Sequence, residues 1–217
     1  MDNNLIEPHG GKLVDLVVDA ERSNSMKRAS RDWTSWDLTP RQLCDLELLI
    51  NGGFSPLTGF MTEADYSSVV TDMRLADGTL WPMPITLDVT EELASSLEPG
   101  DSVALRDVEG VMIAAIKVTD IYRPDRVSEA KSVFGTDNVE HPGVRHLLEQ
   151  SNPVYLGGTV EALQLPLHYD YHALRSTPAE VRSTFESEGW SKVVAFQTRN
   201  PMHRAHQELT LRAAEEL

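Results

Sequence analysis

Residues 174–209 read LRSTPAEVRSTFESEGWSKVVAFQTRNPMHRAHQEL. The order is helix, strand, tight turn, helix. Thr177 is placed to cap the first helix, Pro178 to open it, and Glu180 to reach back to the cap. Val181 and Phe185 then share a face, and Gly189 stops the helix. The short apolar run VVAFQT (193–198) predicts a fully buried parallel strand. Asn200 and Pro201 predict a second start, with Asn200 as N-cap and Pro201 at the first helical position. Such a sequence of elements opens a Rossmann-like α/β domain.

That domain cannot be completed within the chain. One strand with two helices makes no sheet, and a buried-type strand needs cover on both faces. The closing helix, PMHRAHQELTLRAAEEL, also ends without glycine, asparagine or another stop. We expect an N-terminal fragment of a longer protein, cut just after its second domain begins. The alternative is a natural C-terminus whose last helix packs on the first domain.

Upstream, residues 1–168 alternate short apolar runs with short helices. KLVDLVV (12–18) predicts a strand. DLTPRQLCDLELLINGG predicts a helix capped by Thr39 and opened by Pro40. Leu43, Leu46, Leu49 and Ile50 form one face, and Gly52 ends it. MTEADYSSVVTDM predicts a second helix, capped by Thr62. WPMPITLDV predicts a strand whose prolines, Pro82 and Pro84, suit an edge or bulge. SVALRDVEGVMIAAIKVTDIY predicts two strands joined by a tight turn at Glu109 and Gly110. DRVSEAKSVFG and HPGVRHLLEQS predict short helices. The pattern is a β-rich α+β domain over residues 1–168, followed by an α/β domain that begins at 169.

Composition narrows the function classes. The chain has 217 residues, a net charge of −15 and one cysteine, Cys44. An internal disulfide is therefore excluded. No basic segment followed by an apolar run marks a leader, and no apolar stretch has membrane-spanning length. These features point to a cytoplasmic location and no membrane partner. Residues 191–206 contain Lys192, Arg199 and Arg204 and no acidic residue, whereas the rest of the chain holds 16 basic and 34 acidic residues. A local positive site on an acidic background suits a small anion better than nucleic acid.

The chemistry of the closing run fits that reading. His203 and His206 stand three apart, on one helix face near an N-terminus that favours anions. Gln197 and Arg199 precede them, at the strand end where open α/β sheets bind ligands. Arginine offers a planar fork and glutamine two amide donors. A phosphate chain beside a second oxyanion fits this donor set. His-x-x-His is also half a metal site, but no third ligand or shielding carboxylate is evident, so no metal is assigned.

FQTRNPMHRAHQEL resembles the signature of the ATP sulfurylase (sulfate adenylyltransferase) family, Q-x-R-N-P followed by H-x-x-H. The blocks EPHGGKL (7–13), CDLELLINGGFSPLTGFM (44–61), LWPMPITLDV (80–89), YLGGTVEAL (155–163) and LRSTPAEVRSTFESEGW (174–190) are similar to the family in matching order. The resemblance implies a PUA-like β-rich domain followed by the truncated start of a Rossmann-like nucleotidylyltransferase domain. It implies ATP and sulfate as substrates, adenylyl sulfate and pyrophosphate as products, and Mg2+ carried with ATP. It implies that Gln197 and Arg199 bind sulfate. Gln197, Thr198, Arg199, Asn200, His203 and His206 would bind ATP, and the last five of these would be catalytic. A homo-oligomer is expected of the full-length enzyme, which alone would hold the glycine-rich segment that completes the pocket.

GGFSPLTGFM reads as structural: Gly52 and Gly53 end a helix, Pro56 and Gly59 make turns, and Phe54, Leu57 and Phe60 dock the loop. His9 is likewise assigned a structural place. Two other functions stay open. One is nucleotidyl transfer to a phosphorylated acceptor, with Gln197 and Arg199 gripping a phosphate. The other is RNA binding by a PUA-like module, against which the acidic background counts.

Overall fold

The computed structural model describes residues 5–216. Its centre is one six-stranded sheet. The strands are β1 (Thr34–Asp37), β2 (Gly59–Phe60), β3 (Leu87–Val89), β4 (Ser102–Arg106), β5 (Met112–Tyr122) and β6 (Val154–Ala162). Their order is β1-β4-β5-β6-β2, and β3 also pairs with β6. β1 and β4 run parallel, while the other pairs are antiparallel. β4 and β5 form the hairpin expected around Glu109 and Gly110, and Gly110 adopts φ +82°.

Helices α1 (Ala20–Ala29), α2 (Pro40–Ile50), α3 (Glu63–Asp72), α4 (Glu91–Ser95), α5 (Arg126–Phe134) and α6 (Pro142–Arg145) surround the sheet. A π-turn follows α6 over His146–Gln150. α2 matches its reading closely. Thr39 caps it in a reciprocal box with Gln42, and Leu46, Leu49 and Ile50 are fully buried. Each such side chain contributes about 1.5–3 kcal/mol on leaving water. They pack with Leu87, Val89, Leu105, Ile116 and Leu156 in a single core. α3 is capped by Thr62 as expected.

Two expected strands are shortened. At 12–18 only a single bridge forms, between Val17 and Ala162. The Val17 N–H donates to its neighbour Asp15 Oδ1 (3.0 Å), so the ladder stops after Leu16 and Val18 bond Ala162. In 80–89 only Leu87–Val89 is strand. Pro82 and Pro84 have no N–H to give, and the Ile85 N–H faces the Met61 sulfur instead.

The glycines of GGFSPLTGFM and YLGGTVEAL have a joint reason. A Cβ on Gly59 would lie 2.0 Å from the Gly158 carbonyl oxygen, and one on Gly158 would lie 2.1 Å from that of Lys117. β2, β6 and β5 approach too closely here for any side chain. Phe54, Leu57 and Phe60 dock on the core as anticipated. His9 bonds the Leu80 carbonyl at 2.7 Å, and its ring lies 6.1 Å from that of Trp81.

Beyond residue 168 the chain changes character. α7 (Pro178–Glu188) has the expected Thr177–Glu180 capping box, and Gly189 closes it with φ +69°. The expected strand at 193–198 forms no ladder, and Val193 and Phe196 stand 47% and 40% exposed. A parallel strand needs partners, and among the described residues no strand pairs with this run. α8 (Arg204–Glu216) follows, with Leu209 and Leu211 exposed.

Candidate active site

The closing helix starts later than its proline implies. Asn200 is not the N-cap and Pro201 is not the first helical residue: α8 begins at Arg204. Asn200 is engaged in its own turn. Its N–H donates to Thr198 Oγ1 (3.1 Å), whose hydroxyl donates to the Asn200 carbonyl (3.1 Å). Such a local loop takes the groups that a cap would use.

His203 takes the capping position instead. Its carbonyl accepts from the N–H groups of His206 and Gln207. Its Nδ1 accepts from the Ala205 N–H at 3.2 Å, and the His203 N–H donates to His206 Nδ1 at 3.2 Å. The two histidines thus form a reciprocal cap, with imidazoles in the places where serine or threonine and glutamate usually stand. A ring whose Nδ1 accepts carries its proton on Nε2. Both Nε2–H groups are then donors for something outside the helix.

The ring centroids are 6.2 Å apart, and the Phe196 ring lies 5.5 Å from that of His206. Phe196 was not singled out in the sequence, where it reads only as the last apolar residue of a strand. It supports the His206 ring from the side of 193–198. Gln197 and Arg199 are exposed, and neither makes a side-chain hydrogen bond or ion pair within the described residues. The structure therefore groups Thr198 with Asn200 and His203 with His206, and leaves Gln197 and Arg199 unengaged beside them. Among the described residues, no three His, Cys, Asp or Glu side chains are placed to hold a metal ion, and no helix is long and apolar enough to cross a membrane.

The PUA-like domain model matches residues 6–165, and the ATP-sulfurylase model matches residues 172–217. The chain belongs to the ATP sulfurylase family. The family's sulfate adenylyltransferase from Saccharomyces cerevisiae is 56% identical over 212 residues, covering 96% of this chain and 41% of that protein. The sulfate adenylyltransferase from Coccidioides immitis is 54% identical over 211 residues, covering 95% of this chain and 37% of that protein. The solved structure of a hexameric APS kinase from Thiobacillus denitrificans matches with a TM-score of 0.78 at 38% identity, over 98% of this chain and 38% of that chain. The chain thus spans about two fifths of the length of these proteins.

Proposed function

We propose that this chain supplies the PUA-like domain and the first catalytic motif of a sulfate adenylyltransferase. We also propose that residues 1–168 and 169–217 belong to separate domains. The assignment follows from family membership. The reciprocal histidine cap, which leaves two Nε2–H donors on one helix face, supports it.

In this reading a sulfate oxygen attacks the α-phosphorus of ATP. A new P–O bond to sulfate forms as the bond to pyrophosphate breaks, and pyrophosphate leaves with the electron pair. Sulfate is already ionised, so no general base is needed. The task is to hold two anions together and to meet charge as it develops. Arg199 presents a fork to one oxyanion, with Gln197 donating beside it. Thr198 and Asn200, tied in their own turn, shape the backbone that holds the nucleotide. His203 and His206 donate to the phosphates through Nε2, and Lys192, Arg199 and Arg204 bring positive charge to the run.

Mg2+ belongs on the triphosphate in this proposal. Residues 191–206 hold no carboxylate, and imidazole, amide and guanidinium groups are poor magnesium ligands. A cytoplasmic location and a homo-oligomeric assembly belong to the same reading; the hexameric state of the Thiobacillus denitrificans protein supports the second.

The test is a chimera in which residues 1–217 replace the matching segment of the Saccharomyces cerevisiae family member. The expected result is pyrophosphate release from ATP that depends on sulfate. Release that depends on a phosphorylated acceptor and not on sulfate would overturn the assignment.

A further inference from the structure

A cavity of about 290 Å³ lies between α5, the turn after α6 and the 83–86 segment, and none of its lining residues belongs to the closing run. Its walls are largely apolar, with Met83, Val133, Phe134 and Leu147 among them. Glu129 and Arg41 also line it. Nothing in the adenylyl-transfer reading uses these groups.

Glu129 is the unusual member. It is only 6% exposed. One carboxylate oxygen, Oε2, accepts from the Tyr66 hydroxyl at 2.8 Å and from the Tyr155 hydroxyl at 3.4 Å. The other, Oε1, has no protein partner among the described residues, and it is not one of the unpaired atoms sealed from solvent. It therefore opens to the cavity. Arg41 is engaged elsewhere: its terminal nitrogens serve Asp45 (2.7 Å) and Asp88 (3.0 Å), and its Nε is sealed from solvent and so from the cavity. A buried carboxyl with one oxygen unpaired on an apolar wall marks a place for a group that can pair with that oxygen in either protonation state.

We propose that this cavity binds a small neutral molecule made of an apolar ring and a primary carboxamide head. The N–H of such a head donates to Glu129 Oε1 when the carboxylate is ionised. If Glu129 is protonated, the tyrosine hydroxyls still occupy Oε2 and the proton sits on Oε1, where the carboxamide oxygen accepts it. A cationic head would meet the Arg41 guanidinium, which lines the cavity. An anionic head would meet the carboxylate itself. The ring fills the space against Val133, Phe134 and Leu147.

The experiment titrates the 217-residue chain with benzamide, with benzoate and toluene as comparisons, and follows backbone amides by NMR. Benzamide is expected to move the amides of residues 83–86, 129–134 and 143–151, while benzoate leaves them in place. Toluene is expected to bind at least tenfold more weakly. Glu129→Met is expected to weaken benzamide at least tenfold. Val133→Trp, which fills the space and leaves the tyrosines and the carboxylate unsubstituted, is expected to abolish binding and keeps the test decisive if Glu129→Met does not fold. Absence of benzamide shifts in the unchanged chain, shifts located elsewhere, or equal affinity in the Val133→Trp chain would overturn the proposal.

Discussion

The His203 backbone N–H donates to His206 Nδ1, and the His203 ring accepts from the same first turn in return. One pair of side chains therefore does two jobs: it starts α8 and it presents two Nε2–H donors. The jobs separate by substitution. Glutamine at position 206 can accept from the His203 N–H, as it does in an ordinary capping box. Alanine cannot, and loss of a cap costs about 1 kcal/mol of helix stability. His206→Gln should keep the helical circular-dichroism signal of the chain while His206→Ala lowers it. In the chimera both should lose about 10²–10³ in turnover, the usual effect of removing a donor to developing charge. Unchanged turnover in His206→Gln would remove the proposed role of the imidazole.

Glu129 gives a pH dependence of known sign. Burial pushes its carboxyl above the ordinary 4.5, against the hydrogen bonds of Tyr66 and Tyr155, which favour the ionised form. The folded state therefore holds the proton more tightly than the unfolded one. The stability this contributes is complete below the ordinary value and is lost as pH rises through the folded one. Glutamine can accept the same tyrosine hydroxyls and does not titrate. The Tm of the unchanged chain minus that of Glu129→Gln should fall as pH rises from about 4.5. A difference that is flat or rises with pH would contradict this account.

The backbone crossing at Gly59, Gly158 and Lys117 leaves no room for a methyl group. Gly158→Ala should destabilise the chain by about 1–3 kcal/mol, read as a lower urea midpoint. A surface glycine with open space around it, Gly78, serves as a control for position, although its φ of +91° adds local strain of its own. A Gly158→Ala midpoint equal to that of the unchanged chain would show that the strands can part.

What the sequence revealed and what it hid follow from range. Caps and stops are local, so Thr39, Thr62, Thr177 and Gly189 all stand where their neighbours imply. The edges of strands depend on distant partners. Asp15 diverts the Val17 N–H, and residues 193–198 find no partner strand among the described residues, so both runs look like strands and are not. The site was legible as a motif, but its helix start was not. Asn200-Pro201 is a strong signal, yet Thr198 claims Asn200 first and His203 becomes the cap. The buried polar groups were hidden altogether. Asp88 accepts from Arg41, Gln42 and Asn152, whose positions in the chain announce no contact. Nor did spacing connect Glu129 to Tyr66.

The 217-residue chain by itself should form no adenylyl sulfate. The apolar side chains of 193–196 and of Leu209 and Leu211 stand exposed, and the run that leads to Gln197 and Arg199 forms no ladder among the described residues. Positioned donors are the whole of the proposed catalysis, and a run outside any sheet does not position them. Incubation with ATP, sulfate and Mg2+ checks this. Turnover comparable to that of the chimera would show that the site is complete within these residues.

Arg199 is the group on which the central reading depends most directly. In the chimera, kcat/KM for sulfate should be measured before and after Arg199→Ala, by pyrophosphate release at saturating ATP. The account predicts a loss of about 10²–10³, with Arg199→Lys failing to restore most of it because an ammonium lacks the planar fork. An Arg199→Ala chimera that uses sulfate as well as the unchanged one would contradict it.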